Sequence, residues 1–431
     1  MSSSRSVRWG VLAGVLLPAL LFAACTSSPT ASGHHSSRNG GTSPASGHSK
    51  APPQQHDLVI SPANGRTSAD PSRGITVTMA HGSIEHIAVR SASGPVPGSF
   101  SAGHTAWHSR WALGVSARYT VTATALDSTG RQVRATSTFV TLSPSQTFAT
   151  QIFEGYRTWY GVGMPIILNF NRPITNEAAV ERSLEITTSR HVVGAWYWNG
   201  DEQVVFRPRA YWPAGTRVSF VGHFDGVEGA PGVYGFHTLT QTFFIGQSVI
   251  VVAGTQTHYM DVYVGGKLRY HWPISTGRST LPTPDGTYLT LDKRNPQHMV
   301  GPGYNLEVPW SVRFTLSGDF LHAAPWSVSA QGFVNVSHGC VNMPPADAEI
   351  FYKMDHYGDP VTITGSPLAG KWNDGWTEWF LSWDELVAGS ALHEAVVAGP
   401  HGSSFVHPAA LLTFDGSAPV QQPAPHNAAA A

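Results

Sequence analysis

The chain has 431 residues, enough for two to four domains of ordinary size. Its 26 Lys+Arg against 27 Asp+Glu leave a formal charge of −1, so there is no basic excess to hold a nucleic-acid backbone, and nucleic acid is set aside as a partner. Only 12% of residues are charged, while Gly (44), Pro (31) and aromatic residues are plentiful; with short Val/Ile/Thr runs this implies a mainly β protein.

At the N-terminus, Arg5 and Arg8 precede an apolar run from Trp9 to Ala24, the pattern of a secretory signal. Pro18 interrupts the run, which is short of the ~20 residues a membrane span needs. Leu21-Phe22-Ala23-Ala24-Cys25 resembles a bacterial lipobox, with Phe22 as a departure. Residues 1–25 are therefore expected to be a lipoprotein signal peptide, with Cys25 lipidated and the protein exported and held on a membrane. The plainer alternative is an ordinary signal cut near Ala24. Residues 26–56 are rich in Ser, Gly, Pro and His, cannot bury a core, and are expected to form a flexible tether.

Over 57–147, Ile75–Met79, Tyr119–Ala123 and Thr138–Leu142 alternate apolar residues with Thr, as strands with one wet face do. This predicts a first β-sandwich. Strand-like runs at Pro165–Phe170, Gln203–Phe206 and Arg217–Phe220 predict a second over 148–242. Both read as spacers.

A third unit spans 243–365. Val249–Ala253 reads as a buried strand. His258–Val264 and Lys267–Tyr270 flank Gly265-Gly266, a hairpin turn whose two positions tolerate positive φ. Pro282–Gly286 is a turn before the strand Thr287–Leu291. Pro344-Pro345 opens a helix over Ala346–His356, and Val361–Thr364 closes the unit. In the extension 366–415, Trp379-Phe380-Leu381 with Leu386 predict one short amphipathic helix packed on the third unit. Residues 416–431, rich in Pro, Ala and Gln, read as a disordered tail.

Cys25 and Cys340 are the two cysteines, which is no disulfide framework. A lone cysteine is commonly a buried apolar residue. Cys340, however, sits in Ser337-His338-Gly339-Cys340-Val341-Asn342, eighteen residues after His322 in Leu321-His322-Ala323-Ala324-Pro325-Trp326. A free thiol ionises near pH ~8.5, and a nearby imidazole can take its proton; lowering the thiol to about 7 needs ~2 kcal/mol, within reach of a close imidazolium. Gly339 allows close approach to a substrate, and amides at 339 and 340 can face a developing oxyanion.

His, a gap, then Ser-His-Gly-Cys-x-Asn resembles the signature of the L,D-transpeptidase catalytic domain of the YkuD type. The longer string around it is similar to actinobacterial, mycobacterial-type members with a lipid or membrane anchor, two immunoglobulin-like domains and a Trp-bearing extension. The resemblance implies that Cys340 attacks a stem-peptide carbonyl and forms a thioester. His322 acts as base and then acid, oriented by the Ala323 carbonyl. The Gly339 and Cys340 amides with the Tyr304 hydroxyl form the oxyanion hole, and the segment Gln297–Gly303 forms a short flap before Tyr304. Trp326, Ser337, His338 and Asn342 shape the substrate site.

The same resemblance implies a tetrapeptide donor cut between a diaminopimelate-like third residue and D-alanine, and a side-chain amine acceptor, giving 3→3 cross-links. It implies acylation by carbapenems and no metal or organic cofactor. Rival readings are an L,D-carboxypeptidase on the same stems, a metal hydrolase using His322, His338 and Cys340, and a catalytically silent wall-binding lipoprotein. A surface tyrosine and a core tryptophan are the plain alternatives for Tyr304 and Trp326.

Overall fold

A computed structural model describes residues 57–413, apart from 302 and 303. The expected signal peptide with Cys25, the tether and the tail lie outside the described residues. The described residues are mainly β, with three short α-helices among them at Glu177–Arg182, Pro345–Met354 and Trp383–Ala388.

The first sandwich packs one sheet, in the order Leu58–Ser61, Thr76–Met79, Ala106–Ser109, Gly98–Phe100, with another, Gly94–Pro95, Gly82–Ser91, Arg118–Asp127, Gln132–Val140. The Thr/apolar alternation does what its period requires: Val121, Ala123 and Ala125 point inward along one strand and are buried with Val77, Trp107 and Phe139.

The second sandwich faces Trp159–Tyr160, Leu239–Ile245, Arg217–Gly222 and Leu184–Thr188 with a six-stranded sheet. Four strands of that sheet are local: Thr150–Ile152, Ile166–Phe170, Gln203–Pro208 and Val192–Trp198. The other two, Ala395–Gly399 and Gly402–Val406, come from the C-terminal extension and continue it beside Val192–Trp198. Its core of Trp196, Phe206, Phe220 and Phe243 runs on into Ile250 and Leu289 of the third unit and Trp379 of the extension. The second sandwich therefore shares its core with the unit it was expected only to space.

The third unit has a five-stranded sheet, in the order Lys267–Pro273, Tyr259–Val264, Val249–Gly254, Pro360–Thr364, Gly286–Leu289. The Gly265-Gly266 turn has both φ values positive, +60° and +77°, which only glycine adopts without cost. A second sheet runs Asp292–Arg294, Ser311–Arg313, Phe320–Ala323, Val341–Met343, and the helix Pro345–Met354 packs on it. Val251, Val262, Tyr288, Phe314, Leu321 and Phe351 fill the space between.

The extension corrects one expectation. Glu378–Phe380 is a single 3₁₀ turn, and the α-helix begins only at Trp383, behind a capping box in which Ser382 and Glu385 bond each other's main-chain N–H. That helix lies on Val192–Trp198 of the second sandwich, burying Leu386 and Val387 with Ala195. The third unit receives Phe380 instead, edge-on to Tyr288 at 5.1 Å. Leu381, in extended conformation, ends the turn and Ser382 caps the start of the helix, so the apolar residues on either side never share a helix face.

Candidate active site

Phe320–Ala323 and Val341–Met343 are parallel neighbours in the second sheet, in the register Leu321↔Val341 and His322↔Asn342. A parallel pair needs a crossover, and residues 324–340 supply it. The spacing read from the sequence is thus the length of that crossover, which returns Cys340 to the edge where His322 stands. His322 and Cys340 line one cleft of about 290 Å³ with Met299, Tyr304, Leu306, Val308, Trp326, Val336, Ser337, His338 and Asn342.

His322 is 3% exposed, and its Nδ1–H donates to the Ala323 carbonyl at 3.0 Å. A carbonyl only accepts, so the proton sits on Nδ1 and the Nε2 lone pair is free. Burial, opposed by that bond, pulls the imidazole down to about 4. Burial also pushes the Cys340 thiol up to about 12; the negative charge of Asp319 adds to this, and the main-chain amides of Phe320 and Cys340 pull the other way. Both shifts favour the neutral forms, a thiol and an imidazole facing one cleft, over a thiolate–imidazolium pair. The thiol's own bond goes to the Gly318 carbonyl at 3.9 Å.

The loop carrying the cysteine is held from three sides. Ser337 Oγ donates to Cys340 O at 2.6 Å and accepts from Gly339 N–H at 3.1 Å. Thr283 Oγ1 donates to Gly339 O at 2.5 Å and accepts from Gly277 N–H at 2.9 Å. Asn342, buried below, donates through Nδ2 to Ser327 Oγ at 3.0 Å. Gly339 has φ +135°, and a Cβ there would collide with Asp319 Oδ1. Its amide is committed to Ser337, which corrects the oxyanion contact expected of it; glycine is needed here for backbone shape and close packing.

Gln297–Gly301 and Tyr304–Val308 form an antiparallel hairpin over the cleft. Tyr304, Leu306, Val308 and Met299 share the face that lines it, while His298 and Glu307 pair across the other face at 2.6 Å. The Tyr304 ring lies 5.1 Å from His338. Trp326 is 52% exposed and stands 5.9 Å from the His322 ring, which makes it a rim residue and not core. His338 Nε2 accepts from Arg278 at 2.8 Å. Among the described residues no group of three His, Cys, Asp or Glu side chains is arranged to hold a metal ion.

Eight of the nine expected residues of the third unit thus lie at the cleft or in the loop that builds it, and the ninth, Ala323, ends the strand that carries His322 and bonds its ring through the main chain. Sequence reading passed over Thr283, taken only as part of a turn, and Asp319, three residues before His322. A small polar residue between two prolines and an acid opening a buried strand were the available signals.

Residues 247–363 match the L,D-transpeptidase catalytic domain family, YkuD, and residues 66–228 match the bacterial Ig domain family. The chain is 33% identical to "L,D-transpeptidase 5" of Mycobacterium tuberculosis (strain ATCC 25618 / H37Rv) over 80% of this chain and 79% of that one. The chain belongs to the L,D-transpeptidase family. "L,D-transpeptidase 2" of M. tuberculosis (strain CDC 1551 / Oshkosh) is also 33% identical to this L,D-transpeptidase, over 78% of this chain and 85% of the relative. A solved L,D-transpeptidase in complex with imipenem is 32% identical and covers 51% of this chain and 100% of its own, with a TM-score of 0.44.

Proposed function

We propose that this peptidoglycan L,D-transpeptidase joins stem peptides by 3→3 cross-links through a thioester on Cys340. One observation carries the reading: a free cysteine and a buried histidine, its Nδ1 proton committed to a main-chain carbonyl, face the same cleft. His322 Nε2 takes the thiol proton as sulfur attacks the carbonyl of the donor's third residue. The Cys340 amide and the Tyr304 hydroxyl stabilise the oxyanion. The tetrahedral adduct expels D-alanine, whose amine takes the proton from His322. A second stem's amine then attacks the thioester, gives its proton back to His322, and leaves the new amide and the thiol.

The neutral resting pair supports this order. Proton transfer is coupled to attack, so little thiolate stands exposed before a carbonyl arrives. The apolar wall of Met299, Leu306, Val308, Trp326 and Val336 favours the amine of a peptide that fills the cleft over water. Water in its place gives the carboxypeptidase reaction, the second reading.

The test is intact-mass analysis of the full chain in detergent after incubation with a carbapenem, beside Cys340→Ala. Opening of the lactam by the thiol adds the whole drug mass. One adduct on wild type and none on the variant is expected; no adduct on folded wild type overturns the mechanism. Donor and acceptor peptides then separate cross-linking from hydrolysis by product mass.

Export and anchoring through Cys25 are part of the proposal and rest on the pattern of residues 1–25. Cys25→Ser is expected to move the protein from the membrane to the soluble fraction, and unchanged membrane retention would refute a lipid anchor on Cys25.

A further inference from the structure

A positive charge that the chemistry above does not use is bonded to a residue of the cleft wall, His338. Arg278 follows the buried stretch Ser275–Gly277, and its main-chain N–H donates to Ser337 O at 3.1 Å, which ties it to the nucleophile's loop. Its guanidinium makes two side-chain bonds, Nη1 to His338 Nε2 at 2.8 Å and Nε to Thr280 Oγ1 at 3.1 Å. A guanidinium has only donors, so His338 accepts through Nε2, keeps its proton on Nδ1 and is neutral. The histidine therefore adds no second charge and does not neutralise the first.

Among the described residues no carboxylate pairs with Arg278, whose two side-chain bonds both go to neutral groups. Two fixed bonds orient a planar fork and leave its remaining N–H groups unused. The His338 ring beneath it lines the cleft, whose other walls are mainly apolar. A half-buried cation held by neutral partners, beside a cleft that takes a peptide, fits an anion brought by the ligand. A carboxylate matches the fork in shape, two oxygens against two N–H groups.

We propose that Arg278 is a specificity residue that binds a carboxylate of the donor stem peptide, with His338 and Thr280 setting the plane of its guanidinium. This rests on the donor reading given above. Two carboxylates of that stem lie close to the bond to be cut: the side-chain carboxylate of the third residue and the terminal carboxylate of the departing D-alanine. Both offer the same chemistry, and amidating them one at a time tells them apart.

The experiment uses the full chain in detergent as wild type, Arg278→Gln and Arg278→Lys. Three tetrapeptide donors are compared: unmodified, amidated on the third residue's side chain, and amidated at the C-terminus. Iodoacetamide alkylation of Cys340, which needs no carboxylate, is measured alongside. Arg278→Gln is expected to raise KM for the unmodified donor by about ten- to a hundredfold, the loss of a charge-assisted pair, with a much smaller change in kcat. Amidating the recognised carboxylate should cost wild type a similar factor, and Arg278→Gln should add little on that donor, because the same interaction cannot be lost twice. Arg278→Lys should restore part of the loss.

Equal losses on all three donors, or a loss of alkylation rate matching the loss of turnover, would show that Arg278 only holds His338 and the loop, and would overturn the proposal. So would an unchanged KM. Failure of wild type to turn over any donor would instead sink the donor reading itself.

Discussion

Burial sets the acid–base character of the site residue by residue. With the free imidazole held near 4, neutral His322, the form that accepts a proton, persists well into acid. The acid limb of kcat/KM is therefore expected near pH 4, not near the ordinary histidine value of ~6.5. A pH–rate profile on a donor peptide checks this, and a limb at 6.5 would mean that the imidazole is solvated. Asp319 acts on the other partner. Its carboxyl is half-buried, bonded by Thr315 Oγ1 at 3.0 Å and itself pushed upward by desolvation, and its ionised form opposes formation of the thiolate. Asp319→Asn removes that charge while keeping an acceptor for Thr315. Cys340 should then be alkylated faster at fixed pH, by about three- to tenfold, and the rise of rate with pH should begin lower. An unchanged rate would show that Asp319 is protonated throughout.

One turn and one crossover build the nucleophile's loop. Thr283 joins the Gly277 amide to the Gly339 carbonyl with a single buried hydroxyl. Thr283→Val keeps the shape and strands both partners. A loss of ~2 kcal/mol in denaturant stability, with a larger fall in kcat than in KM, is expected as the loop loosens. Gly339→Ala is harsher, because φ +135° disfavours any side chain and Asp319 already occupies the Cβ position. Loss of carbapenem acylation in a chain that still folds is the expected result, and normal acylation would show that the loop can shift. The strands, hairpin turn and helix of the third unit were legible because their signals are local. The role of Thr283 was not, because it depends on a partner 56 residues away.

Across the whole molecule, the C-terminal extension straps the enzyme unit to the second sandwich. Trp379 Nε1 donates to Gly163 O at 2.8 Å, the Arg207 guanidinium lies 4.4 Å over its ring, and the buried Glu181 carboxylate accepts from Ser390 Oγ and the Ala391 amide. Two further strands cover the edge of Val192–Trp198. Ending the chain after Leu381 removes the helix, two of the three donors to Glu181 and both strands, leaves that carboxylate with only Trp198 Nε1, and bares a hydrophobic sheet edge. A lower melting temperature for the second sandwich and enzyme unit together, with self-association in sedimentation, is expected; an unchanged melting temperature would show the strap to be ornamental.

The sequence by itself determined the β class, the strands with clear alternation, the tight Gly-Gly turn and the identity of the reacting pair, since each is written in residue types at fixed short spacing. Tertiary structure decided the rest. It joined distant strands into one sheet and committed the Gly339 amide to Ser337. It left Arg278 without an acid among the described residues and placed the thiol and imidazole where desolvation favours their neutral forms. Those outcomes depend on which groups are brought together and how far water is excluded from them, and neither quantity is local in the chain.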